Sequence, residues 1–479
     1  MRRLSAAVGG DRRAWAIVLL AVSLAISDAD LATVGAVAGE LERHLHISNV
    51  QVGLLATSTA IVGALATVPV GALSDRVPRV PLLMVSVVLW AGAMVMSALS
   101  SSYEMLLISR MALGVVTATS GPTLASLMGD LFAPNERAQV YGWIESGEMA
   151  GAAFGLVGGG AIAGLLSWRA SFLALAIPAV LLAVGLWRKL PEPARGGADR
   201  LVAEGGLAAE APDEDAETVR EEVREQGVEP DPDLILHEDP GEMSLLAAIR
   251  YVLSIPTNRV LILASALGYF FFTGVQTFAV VLLEQRFGVG QTAASGLIGL
   301  AAIGAVVGVL VGGRVSDRRV RTGHVSARVT VAVVCYLVAV VVLIPAFGTT
   351  SLVVAIPLFV VGAGAVTAAN PPLDAARLDV VPDLIWGRAE GVRTLLRQGA
   401  TALAPIGFGL VSNLLVARGV GNVLSGTTTN HGDLDGAFLI MLSTLLLSAL
   451  ILAHGRSRFP RDVATAAGAP GTAERSQVA

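Results

Sequence analysis

The sequence holds a single cysteine, Cys335, in 479 residues. That excludes a disulfide framework and a cysteine metal site. Charge is scarce too: Asp, Glu, Lys and Arg make up 15% of the chain, against roughly 25% in a soluble domain. No Gly-x4-Gly-Lys-Ser/Thr loop is present, which argues against an ATP-driven pump. No serine, histidine and aspartate arrangement points to hydrolysis, so the chain reads as a non-enzyme without a cofactor. His44 and His46 lie with Glu40 and Glu42 in a polar loop, read as solvated rather than as a metal site.

What is abundant is apolar. Apolar residues reach 54% and glycine numbers 53, as expected where membrane helices pack through small residues. The few charges cannot cover that surface, so the solvent is a bilayer. Crossing the hydrocarbon takes about 20 apolar residues. Runs of this kind fall near 15–38, 50–73, 81–99, 104–127, 139–164 and 169–187, then near 259–284, 293–315, 327–347, 351–373, 390–416 and 436–454. The first run follows Arg2, Arg3, Arg12 and Arg13, and reads as a retained span rather than a signal peptide because further spans follow it.

Between the two sets the composition changes. Residues 199–242 carry sixteen acidic and three basic side chains, too polar to offset the entropy of ordering. The predicted organisation is a first bundle at 1–189, a flexible acidic linker at 190–243, a second bundle at 244–456 and a disordered tail at 457–479. Near Leu245–Leu253 a short amphipathic piece precedes the seventh span. Basic residues gather at the amino terminus, Arg76–Arg79, Arg188–Lys189, Arg314–Arg328 and Arg456–Arg461. The positive-inside rule then puts both termini and the linker in the cytoplasm. The expected location is the cell membrane, multi-pass.

The sets repeat one another. Gly71-Ala-Leu-Ser-Asp75-Arg76-Val-Pro-Arg79 recurs as Gly313-Arg-Val-Ser-Asp317-Arg318-Arg-Val-Arg321, each after the second span of its half. Gly114-Val-Val-Thr117-Ala118, leading to Pro122, recurs as Gly364-Ala-Val-Thr367-Ala368, leading to Pro372. Ordered echoes of this kind indicate parallel repeats related by an axis along the membrane normal.

The duplicated loop resembles the signature loop of the major facilitator superfamily, and Arg110-Met-Ala-Leu-Gly114 resembles that family's fourth-helix motif. The resemblance implies an all-α polytopic protein of twelve transmembrane helices, in two six-helix bundles around a central cavity. Asp30-Leu-Ala-Thr33-Val34, Ile47-Ser48, Gly53-Leu54-Leu55, Asp130-Leu131-Phe132, Arg137 and Trp168-Arg169 are similar to elements of the Spinster-like branch, which implies a lysolipid-like substrate. Leu31 stands where that branch usually has arginine, and Thr117 where it usually has glutamate.

A charge near the bilayer centre costs several kcal/mol, so one that persists faces a cavity or a partner. Asp28 and Asp30 lie midway along the first span, some 200° apart at helical spacing, and are expected on different walls. Asp30 is the first candidate for a protonatable group, with Asp28 second. Arg110 is its expected counter-charge; the rival reading has Arg110 snorkelling to the interface. Glu145 and Glu148, three apart on one helical face, are further candidates for proton transfer, or for ion pairs with Arg137 or Arg110. Arg393 and Arg397 could hold an anionic group with Glu390 and Gln398 beside them, or could sit at the cytoplasmic interface with Asp374, Arg377 and Asp379. Thr117 and Gln276 are candidate substrate contacts, the latter among Tyr269, Phe270, Phe271 and Phe272. Gly71, Asp75, Arg76, Arg79, Gly313, Asp317, Arg318 and Arg321 are expected to form gates.

The function read from the sequence is a proton-coupled, alternating-access exporter of an amphipathic or hydrophobic small molecule. Alternatives are proton symport or facilitated uptake of an organic anion, and a non-transporting receptor or scaffold. Expected partners are the lipid bilayer, a proton and the substrate, with no nucleic acid; the expected state is a monomer.

Overall fold

The computed structural model describes residues 10–47, 49–195, 222–223, 225–236, 243–289, 291–417 and 434–468. The first half is built from α1 (Asp11–Ala36), the short α2 (Ala38–Leu45), α3 (Asn49–Ser74), α4 (Arg79–Ala98), α5 (Tyr103–Thr117), α6 (Ser120–Leu131), α7 (Arg137–Phe154), α8 (Gly160–Leu165) and α9 (Trp168–Lys189). The second half holds α10 (Leu245–Ser254), α11 (Pro256–Phe287), α12 (Gln291–Val320), α13 (Ala327–Gly348), α14 (Leu352–Ala368), α15 (Asn370–Val380), α16 (Trp386–Ala417), α17 (Leu434–Gly455) and α18 (Phe459–Ala467).

Eleven helical stretches among the described residues are long and apolar enough to cross a membrane. The twelfth spanning helix is α16, whose first turns carry Arg388, Glu390, Arg393 and Arg397 and so dilute its hydropathy. Hydroxyl caps start several helices: Ser102 accepts the Met105 N–H and Ser167 the Ala170 N–H, at 3.3 and 3.2 Å, using donors a helix start leaves free.

The fourth and tenth spans, expected as continuous runs, are each broken in the middle. The breaks fall between α5 and α6 and between α14 and α15. Proline lacks the N–H that bonds one turn back. Pro122 therefore leaves the Ala118 carbonyl without its helical partner, and Pro371 and Pro372 do the same for Thr367 and Ala368. The echoed Gly-x-x-Thr-Ala…Pro pattern is thus the signature of a broken helix.

Lipid is as apolar as a leucine side chain, so helices here associate through close fit rather than hydrophobic burial. Glycines make the fit. A Cβ on Gly151 would lie 2.1 Å from the Ala25 carbonyl oxygen, and one on Gly155 2.0 Å from that of Ala29; α7 and α1 touch backbone to backbone. In the second half Gly308 of α12 meets Gly364 of α14 in the same way. Large apolar side chains such as Leu181, Val157, Val341 and Val353 stay exposed on the outer faces, where acyl chains cover them.

Three expected segments differ. The His44 loop is the helix α2, because Glu40 is engaged: its carboxylate accepts the Trp168 N–H at 2.9 Å, at the start of α9. The acidic linker is ordered at both ends. Glu192 accepts the backbone N–H groups of Arg79 and Val80 at 2.9 and 2.6 Å, capping α4, and Arg195 donates to the Ser74 and Val77 carbonyls at 2.9 Å. Further on, Asp231 N–H bonds Thr465 Oγ1 at 2.8 Å and Tyr251 donates to the Leu234 carbonyl at 3.2 Å. Burial pushes the Tyr251 hydroxyl up to about 12, so it remains a donor across the physiological range. Residues 196–221, 224 and 237–242 of the linker lie outside the described residues. The tail, expected to lack structure, forms α18, with Phe459 and Val463 fully buried and Asp462 accepting the Thr257 N–H at 2.8 Å; residues 469–479 lie outside the described residues.

Candidate functional site

The two halves meet along α3 against α16 and α7 against α12, and a cavity of about 260 Å³ lies between them. Its polar lining comes from α1, α3, α5, α6, α7, α11, α15 and α16.

Asp30 projects from α1 to Arg110 on α5. Arg110 Nη1 donates to both carboxylate oxygens, at 2.7 and 3.0 Å, and both side chains are almost fully buried. Nη2 donates to Ser97 Oγ at 2.7 Å, and Ser97 Oγ lies 2.9 Å from Ser109 Oγ. The Phe172 ring sits under the guanidinium, 4.7 Å away. A pair this enclosed leaves a costly lone charge if one member is removed.

The second half contributes a four-residue network. Arg393 donates to Glu390 at 2.6 and 3.2 Å and lies 3.1 Å from Asp374. Arg377 donates to Asp374 at 3.0 Å and also to Glu390, while Thr394 donates to Glu390 at 3.1 Å. All four charged groups line the cavity and are buried. Arg393 and Glu390 are therefore part of the cavity wall; α16 begins at Trp386, and its second turn already reaches the cavity.

Glu145 of α7 comes to this network from the first half. Its carboxyl stands against that of Asp374, an acceptor facing an acceptor, and neither oxygen accepts a hydrogen bond from a described residue. Asp28, Glu148 and Arg397 complete the charged lining. Arg397 lies 4.5 Å over the Tyr269 ring. Asp28 and Asp30, expected on different walls, both line this one cavity: Asp30 turns inward to α5, whereas Asp28 faces the interface, with Glu148 and Arg397 as its charged neighbours. Thr117 lines the cavity at the α5 break and donates to the Gly114 carbonyl at 3.1 Å. Gln276 does not belong to the lining; it is exposed on α11. Phe270, Phe271 and Phe278 pack on Phe408.

At one end the cavity is closed by the duplicated turns. Asp75, following α3, accepts the N–H groups of Gly387 and Arg388 at 2.9 and 3.0 Å and Arg388 Nε at 2.8 Å. Asp317, on α12, accepts those of Gln139 and Ala138 at 2.6 and 3.4 Å. Each carboxylate thus caps a helix of the opposite half, α16 or α7, where free N–H groups and the helix dipole favour a negative charge. Gly71 and Gly313 allow the approach: a Cβ on either would fall 2.5 Å from the Gly387 oxygen or 2.3 Å from the Ala138 oxygen. Arg137 stacks across the seam on Trp386 at 5.2 Å.

The arginines of the repeat divide. Arg79 is buried and pairs with Asp130. Its counterpart is Arg328, which opens α13 and donates to Asp379 at 2.7 Å, rather than Arg321 as the sequence spacing implies. Arg321 is exposed and reaches the Asn135 carbonyl at 3.2 Å. The register shifts because α12 runs on through Asp317 to Val320, whereas α3 stops at Ser74. Arg76 and Arg318 are exposed. Arg388 is the contact that sequence reasoning missed; its only signal is its place in the first turn of the eleventh helix, matching Gln139 in the fifth.

Comparison with known proteins agrees with this architecture. A bacterial homologue of the human lysosomal transporter Spinster, in an inward-facing and occupied conformation, aligns over 93% of this chain and 96% of its own at 20% identity and a TM-score of 0.51. The proton:xylose symporter XylE aligns over 91% and 94% at 16% identity and a TM-score of 0.64. Among curated sequences, an "MFS-type transporter" of Aspergillus terreus is 32% identical over 167 residues, 33% of this chain and 29% of that protein. A "Probable sugar efflux transporter" of Helicobacter pylori (strain G27) is 28% identical over 156 residues, 33% of this chain and 40% of that protein. The chain thus spans well under half the length of these curated relatives. The profile of the Major Facilitator Superfamily matches residues 20–405, and with that extent of match the chain belongs to this superfamily.

Proposed function

We propose that this protein is a proton-coupled secondary carrier of the cell membrane, working by alternating access and exporting an amphipathic or hydrophobic small molecule. In this reading it acts as a monomer, with both termini and both aspartate turns on the cytoplasmic side. The closed turn end is then the cytoplasmic gate, and the state described is one in which the cavity is shut off from the cytoplasm.

The observation that carries the reading is the enclosed Asp30–Arg110 pair on the cavity wall. Arginine keeps its proton in any such environment, so Asp30 is the member that can change charge. A proton on Asp30 weakens its hold on Arg110 and alters how α1 and α5 pack. Two access states respond to a proton only if they bind it unequally, and a group that is paired in one state and released in the other meets that condition. Asp75 and Asp317 supply the opposing element, since their caps on α16 and α7 form only when the turn end is closed.

Uptake of an organic anion is the weaker reading, because Arg110 and Arg393 already hold carboxylates. The Spinster-like resemblance keeps a lysolipid-like cargo within the proposed range. The test is flux in proteoliposomes with and without an imposed pH gradient. Gradient-driven transport by the native chain, lost in Asp30→Asn at equal incorporation, supports the mechanism; undiminished gradient-driven flux in Asp30→Asn sinks it.

A further inference from the structure

The charge on the cavity wall is not balanced. Six carboxyl groups line it, Asp28, Asp30, Glu145, Glu148, Asp374 and Glu390, against four guanidinium groups, Arg110, Arg377, Arg393 and Arg397. Geometry consumes them unevenly. Arg110 is taken by Asp30, and Arg377 with Arg393 by Asp374 and Glu390. What is left is Asp28, Glu145 and Glu148 against Arg397 alone, an excess of two negative charges when every group is ionised. Glu145 stands out, because it is only 6% exposed and neither of its oxygens accepts a hydrogen bond from a described residue. It is also pressed against the carboxyl of Asp374 from the other half. Two carboxylates in that position repel each other unless a proton or a cation lies between them. Nearby, the hydroxyl of Tyr141 lines the same space and finds no partner among the described residues, and its ring offers a face that attracts positive charge.

We propose that the cavity binds a cationic amphiphile, an amine or quaternary ammonium compound, whose charge settles among Glu145, Glu148 and Asp28 and replaces the protons held there. This rests on the carrier reading above and names its substrate class. Proton and substrate then answer to the same carboxyl groups, so the two cannot occupy the cavity together at full strength. That exclusion is a direct physical route to exchange of one for the other. A neutral molecule of equal shape would leave the excess negative charge uncompensated, and an anion would add to it.

The test uses three probes of similar size on the full chain in detergent: phenyltrimethylammonium, its uncharged isostere tert-butylbenzene, and benzoate. Binding is measured by equilibrium dialysis against empty micelles, with a pH indicator in weak buffer reporting protons released. The quaternary ammonium has no proton of its own, so any released proton comes from the protein. The expected result is at least tenfold tighter binding of the cation than of either comparison probe. Its affinity should strengthen as pH rises, with about one proton released per cation bound. Glu145→Gln and Glu148→Gln should each weaken the cation tenfold or more while leaving the native elution volume, and should reduce the proton release. Absence of cation binding, equal binding of tert-butylbenzene or benzoate, or cation binding without proton release would overturn the proposal. Vesicle flux separates the two readings. Benzoate carried by a pH gradient would keep the carrier and discard the cation site. Cation binding with proton release but no flux in either gradient direction would keep the site and discard the carrier.

Discussion

The carboxylate of Asp75, in the first half of the chain, accepts both the backbone N–H and the Nε–H of Arg388, in the second, at 3.0 and 2.8 Å. Asp317 holds the start of α7 from the other direction. Two contacts of the same kind, made in opposite senses, brace one end of the interface. Hydrogen bonds to a charged group contribute about 1.5–3 kcal/mol each. Asp75→Asn is therefore expected to shift the balance towards the state open at this end by roughly 10-fold or more. Asp75→Asn with Asp317→Asn should shift it by about the product of the two, since the sites share no partner. Spin labels placed across the seam would report the distance populations; unchanged populations in the double variant would remove the gating role.

The Asp30–Arg110 pair predicts a thermodynamic pattern as well as a kinetic one. Arg110→Gln leaves Asp30 buried without its cation and should cost about 3–5 kcal/mol. Asp30→Asn combined with Arg110→Gln removes both charges and should recover a substantial part of that loss. Thermal unfolding in detergent would measure it. A double variant no more stable than Arg110→Gln would mean that the pair does not act as a unit.

Helix contact at α1 and α7 depends on missing side chains. Gly151→Leu puts a branched chain where even a Cβ falls 2.1 Å from the Ala25 oxygen. Overpacking of this sort costs about 1–3 kcal/mol, so a lower melting temperature and a reduced yield of folded protein are expected. Gly92→Leu is the control, because nothing lies within 4 Å of its Cβ position; similar losses in both would show that the contact is not the cause.

The linker divides into an anchored part and a remainder. Glu192→Ala removes the cap on Arg79 and Val80, for which about 0.5–2 kcal/mol is expected, read as a fall in melting temperature. Deleting 199–221 touches no described contact, and a carrier should retain its flux. Loss of all activity on that deletion would favour the scaffold reading instead.

Much of this fold was legible because lipid imposes a coarse rule: spans must be apolar for about 20 residues. The duplicated turn and the Asp30–Arg110 motif residues were visible in the same way. Other features were not, and each for a physical reason. The Arg321 assignment failed because equal spacing in sequence hides a helix that runs further in α12 than in α3. Arg393 and Glu390 looked interfacial because charge near a span end usually is; their burial depends on neighbours from α15 that only the fold brings near. Gln276 looked functional as a polar residue amid aromatics, but a helix has several faces, and the cavity lies on another. The ordered linker ends were hidden by the acidity of the segment as a whole, while a single Glu192 finds two free N–H groups.

The central claim is that one cavity, closed at the Asp75 and Asp317 end, becomes accessible from each side in turn. It is tested most directly by Cys335→Ala with Thr117→Cys, which leaves one thiol, on the cavity wall. A membrane-impermeant maleimide is applied from either face of oriented vesicles across a range of pH. Labelling is expected from the face opposite the aspartate turns, with labelling from the turn face appearing when Asp75→Asn and Asp317→Asn are added. Labelling that is the same from both faces, and indifferent to pH and to the loss of both aspartates, would contradict the account.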